Sequence, residues 1–366
     1  MSKELQRTLI NSISIIAFLY LFLVGINGMS SAIKHFGSGF ADTVLSTTDN
    51  PFLALFIGTF ATVLFQSSST TTSLIVGMVS AGVLSIEGSI PMIMGANIGT
   101  TVTNTIVSMG HISRGNEFKR AFAASTVHDF FNMLSVLIMF PLELKFHFIQ
   151  KSAIGLGEFL FGNISSNEVM KSPIKTAVKW GSKQIEILSF DNNIFYLILS
   201  VLLTLFMLYM IVKVLRKMVL SKVEVFFDKY IFKTAIRALL FGMLLTFMVQ
   251  SSSITTSLIV PLAGAGVLSL RQIFPYTLGA NIGTTATALL AALSLNVTAL
   301  VTAFAHLIFN IFGILIIYPI PFIRNIPIKL AETLAEYSIK NRLIPFAYLL
   351  IVFIVIPFTI IYFGGK

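Results

Sequence analysis

The chain has 366 residues, of which 55% are hydrophobic and only 11% charged, and its mean hydropathy is +0.89. A soluble globular protein carries about a quarter charged residues, so this composition excludes that class and predicts an integral membrane protein. The net charge of +10 is explained by basic loops on the cytoplasmic side of a membrane, and no nucleic-acid partner is expected. Cysteine is absent, which excludes disulfides, thiolate metal sites and cysteine nucleophiles.

Five uninterrupted apolar runs are long enough to cross a bilayer as helices, which takes roughly 20 residues each. They are Leu9–Ala32, Phe118–Phe140, Ile194–Leu215, Val297–Tyr318 and Ile344–Phe363. The first run lacks the small-residue cleavage site of a signal peptide, so we expect it to be retained. Because backbone groups in lipid must pair within the segment, the predicted fold class is an all-α polytopic membrane protein.

Two further apolar zones, 50–109 and 235–295, are interrupted by polar residues, glycine and proline. The stretch QSSSTTTSLIVGMVSAGVLS (Gln66–Ser85) returns 184 residues later as QSSSITTSLIVPLAGAGVLS (Gln250–Ser269). From Gln66 to Thr103, 24 of 38 positions are identical in this register. The chain therefore contains an internal repeat.

The repeat continues in the motifs that follow. PMIMGANIGTTVT, which begins at Pro91, corresponds to PYTLGANIGTTAT, which begins at Pro275. HDFFN (128–132) likewise corresponds to HLIFN (306–310). The predicted organisation has four parts. They are a first repeat over 1–141, an extracytoplasmic connecting segment over 142–191, a second repeat over 192–319, and a C-terminal transmembrane helix over 320–366.

The positive charges predict that the second repeat is inverted relative to the first. Seven lysines and arginines lie between Lys213 and Arg237, and Lys3 and Arg7 lie near the N-terminus, so both regions should be cytoplasmic. If both regions are cytoplasmic, each QSSS zone must enter and leave the membrane on the same side, as a re-entrant hairpin does. We expect each hairpin to be followed by a broken transmembrane helix that bends at glycines, which are Gly95, Gly99, Gly279 and Gly283.

The connecting segment carries four lysines at four-residue spacing, which are Lys171, Lys175, Lys179 and Lys183. This spacing places them on one face of a helix, and we expect that helix to lie on the membrane surface.

Inverted repeats with matched interruptions are typical of secondary transporters. A helix broken inside the membrane exposes unpaired N–H groups, which attract anions, and unpaired carbonyls, which with hydroxyls coordinate a hard cation such as Na⁺. A single serine or threonine in a membrane helix usually bonds back to its own backbone. Four matched polar tracts in two copies favour a binding site.

Several ionisable and amide side chains fall inside apolar runs. Asp129 is the carboxylate deepest in such a run, and it is predicted to bind a cation or carry a proton. Its alternative role is a structural pair with His128 or a hydroxyl. For His128 and its counterpart His306 we favour capping or packing. Asn132 and Asn310 lie one turn further on the same faces, and both a structural and a site role stay open for them.

These motifs resemble those of the type II sodium-dependent phosphate cotransporters, in which the two QSSS tracts, the doubled GANIGTT and RAFAASTVHDFFN (Arg120–Asn132) recur. The resemblance covers nearly the whole chain. It implies sodium-driven symport of inorganic phosphate by alternating access, with no cofactor apart from the co-transported Na⁺. It also implies that the carboxylate at Asp129 makes transport electrogenic, although Ser125 stands where electrogenic members carry alanine. The connecting segment is shorter than in animal members and lacks their disulfide, which indicates a prokaryotic member.

The resemblance implies that the two QSSS tracts and the adjacent serines and threonines form the phosphate and sodium sites, with sodium as the only metal ion, and it leaves open which hydroxyl binds which ion. The predicted phosphate-binding residues are Gln66, Ser67, Ser68, Ser69, Gln250, Ser251, Ser252 and Ser253. The predicted sodium-binding residues are Thr71, Thr72, Ser73, Asn97, Thr100, Thr101, Asp129, Asn132, Thr255, Thr256, Asn281, Thr284, Thr285 and Asn310.

The residues alone leave another substrate open, since a different oxyanion or a dicarboxylate would need similar helix ends. An intramembrane hydrolase is disfavoured because adjacent His128 and Asp129 point to different helix faces. A channel would not need two matched, liganded breaks. The predicted location is the cell membrane, multi-pass, with the N-terminus in the cytoplasm, and the oligomeric state is left open with a homodimer as one option.

Overall fold

The computed structural model describes residues 3–161, 173–223 and 231–364, and this part of the chain is almost entirely helical. The helices are α1 (Lys3–Lys34), α2 (Ser38–Thr48), α3 (Pro51–Phe65), α4 (Ser68–Ala81), α5 (Ile86–Gly99), α6 (Val102–Met109), α7 (Asn116–Phe146), α8 (Phe148–Phe161), α9 (Pro173–Leu188), α10 (Asn193–Val223), α11 (Ala235–Val249), α12 (Ser252–Gly264), α13 (Leu270–Ala292), α14 (Val297–Ile317), α15 (Pro321–Lys340), α16 (Ile344–Leu350) and α17 (Ile356–Gly364). A five-residue π-helical turn joins α16 to α17.

Five of these helical stretches are long and apolar enough to cross a membrane, and they match the five predicted runs. They are Gln6–Lys34, Asn116–Phe146, Asn193–Met218, Val297–Ile317 and Ile344–Gly364. A sixth is present if α2 and α3, which meet at a bend of 100°, count as one span. The predicted all-α polytopic fold class is confirmed.

Local sequence explains the first hairpin, α3–α4. The side chain of Asn50 caps α3 by accepting from the N–H groups of Phe52 and Leu53. The helix ends at Gln66, which adopts a left-handed conformation with φ 53°. Ser67 then caps α4 by accepting from Thr70 N. Serine is a favoured N-cap because its hydroxyl satisfies an orphan N–H, so the dipeptide Gln66–Ser67 stops one helix and starts the next.

The second hairpin, α11–α12, repeats this design residue by residue. Gln250 has φ 57° and ends α11, and Ser251 caps α12. In both hairpins a threonine four residues before the turn bonds to a threonine five residues after it. The Oγ1 atoms are 2.9 Å apart for Thr62 and Thr71, and 2.6 Å apart for Thr246 and Thr255. The helices of each hairpin therefore lie side by side.

The glycines of the GANIGTT motifs allow close packing, and only the first copy has the predicted break in its helix. A β-carbon on Gly95 would overlap the backbone of α3, and one on Gly279 would overlap the backbone of α11. Helix α13 runs without interruption through Gly279 and Gly283. In the first copy the helix breaks after Gly99, between α5 and α6. The prediction is therefore wrong for Gly279 and Gly283, which serve an interhelical contact in a continuous helix, whereas the first copy has the predicted break after Gly99.

The two copies contact each other reciprocally. Helix α4 packs against α13 and α14, and its counterpart α12 packs against α6 and α7. Ser135 on α7 contacts Gly313 on α14, and these two residues occupy equivalent positions, seven residues after His128 and His306. A residue that touches its own counterpart lies on a two-fold axis. The contact of Ser135 with Gly313 is one that a two-fold relation between the copies would produce.

Two further helices, α15 and α9, complete the description of the predicted organisation. Helix α15 precedes the C-terminal helix and was not anticipated inside 320–366. The expected lysine-bearing helix is present as α9, although Lys171 lies outside the described residues. Helix α9 packs on α1, where Tyr20 OH donates to Ala177 O at 3.0 Å.

Candidate functional site

The two hairpin turns hold their glutamines in the same way. Gln66 Nε2 donates to Val63 O at 2.6 Å, and its Oε1 accepts from Thr103 Oγ1 at 2.9 Å. Gln250 Nε2 donates to Phe247 O at 2.6 Å, and its Oε1 accepts from Thr287 Oγ1 at 2.7 Å. Each amide is therefore fixed between its own helix and the helix that carries Thr103 or Thr287, which is α6 in the first copy and α13 in the second. One difference separates the copies, since Gln66 is exposed and Gln250 is buried.

The turns place two helix N-termini beside the glutamines. Ser67 and Ser251 are the N-caps, and Ser68, Ser69, Ser252 and Ser253 form the first turns of α4 and α12. The first N–H groups of a helix have no intrahelical acceptor, and the helix dipole adds partial positive charge there. An oxyanion can therefore be bound at these turns without a lysine or arginine.

The two turns meet at the interface between the copies. Ser69 Oγ donates to Gln250 O at 3.4 Å and lies 3.3 Å from Thr287 Oγ1, whose proton is directed to Gln250 Oε1. In the other direction, Ser253 Oγ donates to Thr100 O at 3.3 Å. Both predicted phosphate-binding tracts thus contribute to one buried polar region.

Most predicted sodium ligands of the hydroxyl type donate to carbonyls of their own helices. The donors are Thr72, Ser73, Thr100, Thr101, Thr256, Thr284 and Thr285, and the acceptors lie three or four residues earlier. Such a bond fixes the hydroxyl proton and leaves oxygen lone pairs directed away from the helix. Thr71 and Thr255 also lie within hydrogen-bonding distance of carbonyls of their own helices, and in addition they form the threonine pairs within the hairpins.

Asp129 is fully buried and lies in a separate cluster of oxygen atoms. Its Oδ2 accepts from Tyr348 OH at 3.0 Å and from Thr105 Oγ1 at 3.3 Å. Thr101 is within hydrogen-bonding reach of the same carboxylate. The adjacent His128 points elsewhere, toward Asn281, so the two side chains do not form a relay. This cluster offers a carboxylate and hydroxyl oxygens, which are ligands that suit a hard cation.

Predicted amide ligands form a third group that links the copies. His128 Nε2 lies 2.6 Å from Asn281 Oδ1, Asn281 Nδ2 donates to Asn132 Oδ1 at 2.7 Å, and Asn132 Nδ2 donates to Asn97 O at 2.7 Å. All four residues are buried. Asn310 is not part of this chain of hydrogen bonds, since its Nδ2 donates to His306 O.

The sequence did not single out four residues of these clusters, which are Thr103, Thr105, Thr287 and Tyr348. Thr103 and Thr287 are identical residues in matching positions of the repeat, a signal that could have identified them. Tyr348 lies 219 residues from Asp129 in an unremarkable apolar helix, and only the fold brings them together.

Comparison with known proteins gives consistent matches. A sequence model described as Na⁺/Pi-cotransporter matches residues 21–164 and 203–317. The chain is 35% identical to the sodium-dependent phosphate transport protein 2B of Homo sapiens, over 95% of this chain and 64% of that protein. It is 34% identical to the sodium-dependent phosphate transport protein 2A of Ovis aries, over 97% of this chain and 68% of that protein. The chain thus spans about two thirds of the length of these relatives. No solved structure gives a significant match.

Proposed function

The chain belongs to the Na⁺/Pi-cotransporter family, and on that premise we propose that it is a secondary active transporter that couples inorganic phosphate to sodium by alternating access. The observation that carries the proposal is the meeting of the two hairpin turns, where Ser69 Oγ donates to Gln250 O. Phosphate is held between the turns by the N–H groups and hydroxyls of the two QSSS tracts, Gln66–Ser69 and Gln250–Ser253.

Sodium binds beside the phosphate, at the carbonyl and hydroxyl oxygens of the GANIGTT helices and at Asp129. Because no lysine or arginine lies in the polar tracts, the anion and its cations stabilise each other in one site. This mutual stabilisation couples their movements, since a site loaded with one ion alone is electrostatically unfavourable.

Labelled phosphate uptake into proteoliposomes tests the substrate assignment. We expect uptake under an inward sodium gradient, none when potassium replaces sodium, competition by arsenate and no competition by succinate. Sodium-dependent uptake of succinate without uptake of phosphate would overturn the phosphate assignment and leave a dicarboxylate carrier.

Asp129 makes the cycle electrogenic by binding one additional sodium ion. Uptake should therefore increase with an inside-negative potential in the wild type and lose this dependence in Asp129→Gly. Asp191→Gly is the matched control, since Asp191 is exposed and already has a φ of 58° that glycine tolerates. Voltage-insensitive uptake by the wild type would contradict the role of Asp129.

The two repeats have opposite orientations in the cell membrane, with the N-terminus in the cytoplasm and 142–191 outside. The positive charges and the contact between Ser135 and its counterpart Gly313 support this arrangement. Because the native chain has no cysteine, single cysteines at Ser113 and Asp191 can report the side. A membrane-impermeant thiol reagent on intact cells should label the second and not the first. The opposite pattern would reverse the topology. Whether the protein is a homodimer stays a prediction.

A further inference from the structure

The hydrogen-bond chain His128–Asn281–Asn132–Asn97 has an unmade counterpart in the other copy. The repeat relates His128 to His306, Asn132 to Asn310 and Asn97 to Asn281. By this relation, the counterpart chain would run from His306 to the side chain of Asn97, then to Asn310, then to Asn281 O. None of these bonds is formed in the described structure.

The residues of the counterpart chain are held away from each other on their own helices. Asn97 Nδ2 donates to Ile93 O at 3.0 Å, and Asn310 Nδ2 donates to His306 O at 3.0 Å, each acceptor lying four residues earlier. In the formed chain the equivalent amides of Asn281 and Asn132 cross between helices instead. The same residue types at equivalent positions therefore adopt two different arrangements in one structure.

The unmade chain leaves buried polar atoms without partners. Both ring nitrogens of His306 and the Oδ1 atom of Asn310 are buried and have no hydrogen-bond partner, and His306 is fully buried. Native proteins rarely leave such groups unpaired, because each one loses its bonds to water and gains none in return. The counterpart chain would satisfy His306 Nε2 and Asn310 Oδ1, by analogy with His128 Nε2 and Asn132 Oδ1 in the formed chain, where His128 Nδ1 also has no partner.

We propose that the two chains are alternative latches, of which the formed one holds the present conformation and the counterpart holds the opposite conformation of the transport cycle. The inference rests on the proposed alternating-access function. In the opposite conformation, Asn281 Nδ2 returns to Thr277 O and Asn132 Nδ2 to His128 O, while His306 pairs with Asn97. The exchange conserves the number of hydrogen bonds, so neither conformation is strongly favoured. His128, His306 and the asparagines are thus positioning residues for the cycle.

Histidine-to-phenylalanine variants separate the two latches, since a ring of similar shape fills the buried space without polar nitrogens. His128→Phe removes the latch of the present conformation. His306→Phe removes only the latch of the opposite one. The double variant removes both latches and should restore the wild-type ratio of the present to the opposite conformation.

The readout is the distance between paired spin labels, measured in nanodiscs without sodium or phosphate. Suitable sites flank two contacts at the ends of α4 and α12, in which Asn296 Nδ2 donates to Ser80 O at 3.2 Å and Arg120 Nε donates to Gly264 O at 2.8 Å. One label pair is Ala81 with Leu293, and the other is Asn116 with Ala265. The absence of native cysteine allows both pairs to be introduced directly.

We expect His128→Phe to lower the ratio of the present to the opposite conformation about fivefold, and His306→Phe to raise it by a similar factor, which corresponds to one hydrogen bond. The double variant should return to within about twofold of the wild type. Shifts in the same direction, or no shift in either single variant, would overturn the proposal.

A second pair of variants tests the proposal independently, in case the histidine variants misfold. Asn281→Ala removes a side chain of the formed latch, and Asn97→Ala removes one of the counterpart latch, so these variants should also shift the ratio in opposite directions. Because the measurement uses no substrate, it is independent of the phosphate assignment. Opposite shifts in a protein that fails to transport phosphate would keep the latches and reject the substrate. Phosphate transport without opposite shifts would reject the latches alone.

Discussion

Gly95 packs directly against the backbone of Leu55, so closely that a β-carbon on the glycine would overlap the Leu55 carbonyl oxygen. The same contact recurs between Gly279 and Leu239. In both copies the GANIGTT helix thus lies against the first helix of the hairpin at backbone distance. This contact fixes the position of the hairpin turn relative to Thr103 or Thr287, which hold its glutamine.

Gly95→Ala and Gly279→Ala should each destabilise the protein by about 1–3 kcal/mol or more, because two helix backbones must move apart. Thermal unfolding in detergent measures the effect. Gly155→Ala is the control, since Gly155 is exposed in α8 with no atom near its missing β-carbon. That variant should be neutral or slightly more stable. Equal unfolding temperatures for all three variants would contradict the packing role of Gly95 and Gly279.

Thr103→Val and Thr287→Val remove the donors to the glutamine carbonyls while keeping the side-chain shape. The side-chain amide of Gln66 or Gln250 then loses the hydrogen bond that fixes its orientation. We therefore expect the phosphate concentration for half-maximal uptake to rise roughly five- to tenfold in each variant. Thr43→Val, which loses a bond from an exposed threonine to Gly39 O, serves as the control. Wild-type phosphate dependence in both site variants would show that the glutamines need no such support.

Tyr348→Phe removes one hydrogen-bond donor from the buried carboxylate of Asp129. The charged form of Asp129 then becomes less stable and binds sodium more weakly. The sodium concentration that gives half-maximal uptake should therefore rise about fivefold. Tyr209→Phe is the matched change at an exposed tyrosine. A shift in phosphate dependence with unchanged sodium dependence would place Tyr348 in the phosphate site instead.

Glu336 on α15 pairs with Lys119 on α7, at 2.7 Å between Oε1 and Nζ. This hydrogen bond holds the pKa of Glu336 below its ordinary value. A carboxylate with a lowered pKa stabilises the folded state above its unfolded pKa, and the contribution disappears as the pH falls through the folded pKa. Because the pair is solvent-exposed, the effect should be small.

Glu336→Gln should therefore lower the unfolding temperature slightly at pH 7, and the difference from the wild type should shrink as the pH falls below the ordinary glutamate pKa of about 4 and through the lowered pKa of the folded state. Glu332→Gln on the same helix is the control. A difference that grows as the pH falls would contradict the ion pair's contribution.

Periodicity and repetition in the sequence predicted much of the fold. The five membrane-length helices were predicted within a few residues, because apolar runs of this length have few alternatives in a bilayer. The prediction failed at Gly279, where a glycine compatible with a bend instead serves an interhelical contact. A glycine in the sequence is compatible with a bend and also with a close contact between two helices. The sequence alone does not show which of the two the fold requires.

The site was predictable in part. The matched hairpin turns at Gln66 and Gln250 follow from their serine N-caps and from the repeat. The contact of Tyr348 with Asp129 could not be predicted, since it depends on how the C-terminal helix docks. The difference between His128, which is bonded, and His306, which is not, was also beyond the sequence, because identical residues in equivalent positions differ there by conformation alone.

The central claim is that two hairpin turns from the two copies build one sodium-dependent phosphate site. The most direct test is sodium-driven uptake of labelled phosphate by the wild type, Gln66→Ala and Gln250→Ala, each reconstituted as a folded protein at equal density. The wild type should accumulate phosphate, and both variants should lose coupled uptake although their residues lie 184 positions apart. Near-normal uptake by either variant would contradict a site shared between the turns.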